Sequence, residues 1–321
     1  MNKIITILLN NIINNIETKL FSYAYIIINI INFCYMWGDI IENIALVLGG
    51  GGAKGAYEIG VINALSQYNL YNNITAFSGT SIGALNMALI QRVNINVAID
   101  IWLNRAGRIF LSDNINVYEV MNMLKSIKMN IPLKKNYLYD REKTVELFNE
   151  LKVEDLAFSD KIMYAACVDV TEIPQEFRSI KAALGIYEKR PVGKITYFPI
   201  NYKSKDTIYK ALLASSALPL VYEPIEINRR YYVDGGLIDN LPIKPLYDYG
   251  YKDIIIISCD NNTSLNRLKL KFPNSNLYLI KPSADLGNLI NGTLNFNRNK
   301  ISQSINLGYR DGMNFIKKLN I

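Results

Sequence analysis

Ile44-Ala45-Leu46-Val47-Leu48-Gly49-Gly50-Gly51-Gly52-Ala53-Lys54-Gly55 is an unbroken apolar run cut off by four glycines, and behind it Ala56, Ile59, Val61, Ile62 and Leu65 recur at helical spacing. A short apolar run that stops at glycines and restarts with a 3.6-residue period reads as buried strand, tight loop, helix. The pattern returns downstream, with Ile74–Ser78 as a strand, Gly79-Thr80-Ser81-Ile82-Gly83 as the turn, and Ser81–Val93 as a helix. Lys161–Val170, Ile195–Ile200 and Tyr231–Val233 read as further strands, and Thr207–Ser216 as a helix stopped before Pro219. Asp253–Ser258 is a continuous β-branched run, the mark of a parallel strand covered on both faces. Strand and helix alternate, which implies an α/β fold with right-handed crossovers. The stretch from about 94 to 160 reads as mostly helical and lies between core strands, so it is the expected cap.

Composition removes whole classes of chemistry. The chain has 321 residues, half of them hydrophobic and a fifth charged, as in a globular protein with a well-buried core. Its 35 Lys and Arg against 28 Asp and Glu give a net charge of +7, which favours anionic partners, phospholipid surfaces or nucleic acid, without choosing between them. Cys34, Cys167 and Cys259 form no CxxC and no paired framework, so neither disulfides nor cysteine-zinc sites are expected. There is no histidine. That absence excludes His-based triads, HExxH metalloproteases and cysteine-histidine proteases together, and leaves acid-base chemistry to Asp, Glu, Lys or Tyr.

The glycine loop admits several readings. Glycines between a strand and a helix leave backbone N–H groups beside a helix N-terminus, a place that stabilises negative charge. A phosphate loop of the GxxxxGK[ST] type would need Gly at Ala53 and Ser or Thr at Gly55. A dinucleotide fingerprint matches at Gly50, Gly52 and Gly55, but where its acidic residue belongs the chain has Phe77-Ser78-Gly79-Thr80. An oxyanion hole and a plain tight turn both remain open.

Gly79-Thr80-Ser81-Ile82-Gly83 is a GxSxG between strand and helix, the setting a nucleophile elbow requires. A serine hydroxyl is unreactive near neutrality without a base, and here the base must be a carboxylate or a buried lysine. Tyr231-Tyr232-Val233-Asp234-Gly235-Gly236 ends a strand on a carboxylate followed by two glycines. Asp-Gly is commonly only a turn signal. Against an apolar acyl pocket, however, desolvation would raise the Asp234 pKa and make it a better base near neutrality. Asp140, Asp169 and Asp260 lack this setting and are weaker candidates.

Taken in order, these pieces resemble the patatin-like phospholipase family. Its GGGx[KR]G falls on Gly50 to Gly55 with Lys54 in the basic place, its GxSxG on Gly79 to Gly83 and its DG[GA] on Asp234 to Gly236. Ala214-Ser215-Ser216-Ala217-Leu218-Pro219 and Asp239-Asn240-Leu241-Pro242 look similar as well. The resemblance covers about residues 44 to 250. It implies a patatin-type three-layer α/β/α sandwich with a mostly parallel sheet, and a Ser-Asp dyad of Ser81 as nucleophile and Asp234 as proton acceptor. Amides of Gly50, Gly51 and Gly52 would form the oxyanion hole, with Lys54 near the developing charge; Gly55, Gly79, Gly83, Gly235 and Gly236 complete the motifs. No metal or cofactor is called for.

The expected protein is therefore a serine acyl-ester hydrolase acting on phospholipid or another acyl lipid, of the phospholipase A or lysophospholipase type. A lipid acyltransferase using the same dyad and a non-catalytic lipid-binding protein are the alternatives, and nucleic acid is not an expected partner. Three stretches are expected: 1–43 as an extension, 44–250 as the catalytic domain, and 251–321 as its C-terminal continuation. Residues 1–43 are rich in Ile and Asn, with apolar runs Ile4–Leu9 and Tyr23–Trp37 around the polar stretch Asn10–Lys19. The second run carries Asn29 and Asn32, whereas a membrane span wants roughly 20 mainly apolar residues. A membrane-associating extension therefore fits best, an upstream stretch with no folded role next and a true span last, and a secretory leader fits worse because no small-residue cleavage site follows. Cytoplasmic residence, peripheral to or anchored in an inner membrane that presents an anionic surface, is the expected location.

Overall fold

Every residue of β1 (Ile44–Leu48) is buried. The computed structural model describes residues 43–68, 70–110, 122–123, 125–126, 137–187, 190 and 192–319. The reading of Ile4–Leu9 and Tyr23–Trp37 lies outside them, as does much of the expected cap. β1 leads through a one-turn 3-10 helix at Gly52–Gly55 into α1 (Ala56–Gln67). β2 (Ile74–Thr80) leads into α2 (Ile82–Arg92), followed by α3 (Ile95–Asn104) and α4 (Ala106–Phe110). β3 (Tyr137–Tyr139) and α5 (Glu142–Glu150) precede β4 (Ile162–Asp169), α6 (Arg178–Tyr187), β5 (Lys194–Pro199) and α7 (Lys205–Ser215). Three short strands, β6 (Leu220–Tyr222), β7 (Ile225–Ile227) and β8 (Arg230–Asp234), come next. The chain continues through α8 (Lys244–Tyr249), β9 (Asp253–Ile257), α9 (Leu265–Lys271), β10 (Asn276–Ile280) and the long α10 (Arg298–Lys318).

One sheet runs β10-β9-β1-β2-β4-β8-β7, with β5 also paired to β4, while β3 and β6 form a separate two-stranded pair. The five strands from β10 to β4 are parallel. β5, β7 and β8 join antiparallel to their neighbours. The fold is thus mixed α/β with a mostly parallel central sheet. β1 carries an unbroken apolar run because it is central, with β2 and β9 on its flanks and helices over its faces.

α1 crosses α10 at backbone distance. Gly60 faces the Ile305 carbonyl and Gly308 faces that of Tyr57, places where a Cβ would collide. Tyr57 Oη donates to the buried Asp311 Oδ2 at 3.2 Å, tying the two helices together.

The register around β4 is what builds the site. Along its first half β4 pairs with β2, Thr80 opposite Ala166; along its second half it pairs with β8, Cys167 opposite Asp234. β5 pairs with Tyr164 to Asp169 and so occupies the other edge throughout. β2 and β8 therefore run along the same edge of β4 from opposite directions, and their C-terminal ends meet between Ala166 and Cys167.

Candidate active site

Ser81 follows directly on β2 with φ 56° and ψ −126°, a left-handed backbone that side chains avoid unless neighbours impose it. Its neighbours do so. The Ser81 amide donates to Ser215 Oγ at 3.0 Å, the Ala84 amide donates to the Ser81 carbonyl at 3.0 Å, and Thr80 Oγ1 donates to the Asp239 carbonyl at 2.9 Å. The sharp turn also needs bare backbone on both sides. A Cβ at Gly79 would lie 2.5 Å from the Ala84 nitrogen, and one at Gly83 would strike the Leu48 carbonyl. α2 is thereby drawn against β1, with its electropositive N-terminus beside the hydroxyl.

Ser81 Oγ donates to Asp234 Oδ2 at 2.5 Å. The other carboxylate oxygen, Oδ1, accepts from the Gly236 amide at 2.7 Å, and the Asp234 amide donates to the Ala217 carbonyl at 3.1 Å. Asp234 is 4% exposed. Burial pushes its carboxyl up to about 6, against the opposing pull of the Ser81 hydroxyl, the Gly236 amide and the Arg141 guanidinium. Gly235 is pressed against the Ala166 carbonyl, which brings this strand end close to β4.

The glycine loop lies over the serine. A Cβ at Gly50 would stand 3.2 Å from Ser81 Cβ. Asn240 holds Gly50 at both ends, since its carbonyl accepts from the Gly50 amide and its Nδ2 donates to the Gly50 carbonyl, each at 3.2 Å. The Gly50 amide is therefore committed to Asn240, whereas those of Gly51 and Gly52 have no backbone acceptor among the described residues. Gly52 takes φ 57°. Lys54 lines the pocket beside the loop, and Gly55 packs on Ile82. Behind the loop, Asn86 Nδ2 donates to the Gly55 carbonyl at 3.0 Å and to Glu58 Oε2 at 2.8 Å, and Trp102 Nε1 donates to Asn86 Oδ1 at 2.9 Å. Glu58 is wholly buried, its Oε1 without a hydrogen-bond partner among the described residues, and burial pushes its carboxyl up to about 8.

Ser81, Asp234, Gly50 to Gly52 and Lys54 share one cavity of about 380 Å³. Its other walls are largely apolar, with Leu85, Phe110, Leu218, Val221, Leu294 and Phe296 among them. The arrangement can draw a proton from a hydroxyl, face a new oxyanion with amides, and take up an acyl chain. Among the described residues no group of three or more Cys, Asp or Glu is placed to hold a metal ion.

The weaker carboxylates are engaged elsewhere than at Ser81. Asp140 caps the Glu142 amide, Asp169 pairs with Arg230 at 2.6 Å, and Asp260, on the pocket wall, accepts from the Asn262 amide. Arg141, Ser215 and Ser216, which no catalytic motif of the sequence marks, are brought to the site by the structure, as is Cys259. Ser215, Ser216 and Asn240 stood in stretches noticed only for their likeness to a family, and Arg141 in Asp-Arg-Glu-Lys looked like any solvated basic residue.

The model of the patatin-like phospholipase family matches residues 46–247. The chain belongs to this family. As a patatin-like phospholipase it is a lipid hydrolase, cleaving carboxylic esters. The "Probable lipid hydrolase 463L" of Invertebrate iridescent virus 6 is 24% identical over 270 residues, which is 75% of this chain and 79% of the viral protein. "Lysophospholipase NTE1" of Kluyveromyces lactis is 24% identical over 70% of this chain, and its namesake in Cryptococcus neoformans 27% identical over 67%. This patatin-like chain spans only 13% and 11% of those two proteins. Among solved structures, VipD from Legionella pneumophila superposes with a TM-score of 0.50 at 15% identity, over 86% of this chain and 67% of that one, a likeness of fold.

Proposed function

We propose that this patatin-like protein hydrolyses acyl esters of phospholipid or lysophospholipid with Ser81 and Asp234 as a dyad. The observation that carries the reading is the 2.5 Å hydrogen bond from Ser81 Oγ to Asp234 Oδ2, at the wall of an apolar cavity and beneath two uncommitted amides. Asp234 accepts the hydroxyl proton as Ser81 Oγ attacks the ester carbonyl, and the oxyanion rests on the Gly51 and Gly52 amides with Lys54 near. Collapse expels the alcohol, which takes the proton back from Asp234 and leaves acyl-Ser81. Water then attacks the acyl group and gives its proton to Asp234; the second collapse releases the fatty acid and returns the proton to Ser81 Oγ. A carboxyl titrating near 6 is ionised at neutral pH yet basic enough for both transfers.

The lysophospholipase names of the NTE1 relatives favour a substrate with one acyl chain, and the largely apolar cavity beside Ser81 offers such a chain a wall to lie against. The net charge of +7 favours an anionic lipid surface as the place of action. Hydrolysis of a short-chain p-nitrophenyl ester by wild type, Ser81→Ala, Asp234→Asn and the double variant tests the dyad. Both single variants are expected to be inactive and the double scarcely worse, because residues acting as one unit lose function non-additively. Near-wild-type turnover by either single variant would refute the assignment. Product analysis with lysophospholipid separates hydrolysis, which releases free fatty acid, from transfer to an acceptor alcohol.

A further inference from the structure

Three consecutive residues at the end of α7 hold three different parts of the site. Ser215 Oγ accepts from the Ser81 amide at 3.0 Å, and the Ala217 carbonyl accepts from the Asp234 amide at 3.1 Å. Between them, the carbonyl and the hydroxyl of Ser216 accept from Arg141 Nη1 and Nη2 at 2.9 and 2.6 Å. Arg141 is the N-cap residue just before α5, a segment remote in sequence from either reacting group. A planar fork that grips one residue through two parallel bonds fixes both position and orientation, which a lysine cannot do.

Among the described residues the guanidinium is in no ion pair, lies 4.1 Å over the Tyr222 ring, and keeps its Nε sealed from solvent without a hydrogen-bond partner. A buried cation needs a countercharge. Among the described residues, Asp234 is the carboxylate whose charge acts on Arg141, and Arg141 in turn favours the ionised Asp234. The other groups around Asp234 do not supply that charge. Cys167 opposite it on β4 is a thiol that burial keeps protonated, Asp239 is engaged by the Tyr197 hydroxyl at 2.6 Å, and Lys54 and Asp260, on the same pocket wall, are not among the charges that act on Asp234.

We propose that Arg141 is a positioning residue for the reaction, clamping the Ser215–Ala217 turn that spaces Ser81 from Asp234 and standing as the countercharge to the Asp234 carboxylate. The assignment rests on Asp234 being the base. It ties the segment that walls the acyl pocket to the protonation state of the dyad: displacing α5 would loosen the serine and raise the cost of ionising the aspartate at once.

The test is the pH dependence of kcat and kcat/KM on a soluble short-chain ester for wild type, Arg141→Gln and Arg141→Lys. Arg141→Gln is expected to move the acidic limb of kcat/KM to higher pH by about one unit and to lower kcat about tenfold or more, with KM little changed. Arg141→Lys keeps the charge and loses the fork, so its limb is expected to stay near the wild-type position while kcat remains depressed. A limb unmoved in folded Arg141→Gln, or a loss confined to KM, would overturn the proposal. If Arg141→Gln does not fold, Arg141→Lys decides: a shifted limb or wild-type kcat overturns it. Ser81→Ala measured alongside keeps the two readings apart, since activity surviving in that variant refutes the dyad, whereas an inactive Ser81→Ala with an unmoved Arg141→Gln limb refutes only the role of Arg141.

Discussion

Asp234 faces Cys167 across the β4–β8 ladder, one position beyond the rung where Thr80 faces Ala166. Ser81 and Asp234 are 153 positions apart in the chain and 2.5 Å apart at Oγ and Oδ2 because two strands share one edge of β4 end to end. No flexible loop has to find its partner. Hydrogen-bonded ladders fix the spacing, and rigid strand ends hold reacting groups more closely than loops do.

The first consequence is a pH profile. Burial raises Asp234 to about 6. As the proposed base, Asp234 must be ionised, so kcat/KM is expected to be level above about pH 7 and to fall tenfold per unit below about pH 6, where the carboxyl takes up its proton. A rate that stays level down to pH 4.5 on a non-ionisable ester would show that another group sets the limb.

Gly50→Ala is expected to abolish most turnover without unfolding the chain. The added methyl would stand 3.2 Å from Ser81 Cβ and press on Asn240 Oδ1, shifting the loop whose Gly51 and Gly52 amides are proposed to hold the oxyanion. Misplacing one such donor costs about 10²–10³ in kcat. Steady-state kinetics together with a melting curve check this, and unchanged kcat would show that the loop plays no part in the chemistry.

Asn240→Ala removes the side-chain bond to the Gly50 carbonyl while leaving the backbone bond from the Gly50 amide in place. We expect a kcat loss of about tenfold with KM within about twofold, in line with one neutral hydrogen bond that steadies the loop. A change confined to KM would point to substrate contact instead.

Glu58 provides a stability test separate from activity. Its folded carboxyl lies near 8 against 4.5 for the free residue, so between those values the native state holds a proton that the unfolded chain has released. Stability is then complete below about pH 4.5 and is lost as pH rises through about 8, to a limit on the order of 5 kcal/mol. Glu58→Gln should lack this decline and exceed wild type in melting temperature at pH 8 while matching it at pH 5. Parallel melting temperatures across that range would show that Glu58 keeps an ordinary carboxyl.

A chain starting at Asn43 is expected to keep its activity on a soluble ester, because every residue placed in the site lies beyond Glu42. With anionic vesicles, the full chain should co-sediment even at high salt, whereas the shortened chain should bind weakly and only at low salt, since charge attraction is screened and apolar burial is not. Equal binding by both would show that residues 1–42 are no anchor.

Two strand-turn-helix units were legible in the sequence because their signals are local. An apolar run, glycines where side chains would collide, and apolar spacing of the following helix all fall within residues 44–67 and 74–92. From them came the α/β class, the mostly parallel sheet and the elbow at Ser81. β6 and β7 gave no such signal, since three residues carry no period. What tertiary structure alone decided is who stands beside whom. The register on β4 set Asp234 against Ser81, Asn240 took the Gly50 amide and left those of Gly51 and Gly52 uncommitted, and the end of α7 received Arg141 from a helix start that looks solvated in the sequence. Such pairings are properties of ladder register and helix packing between distant segments, which no local pattern encodes.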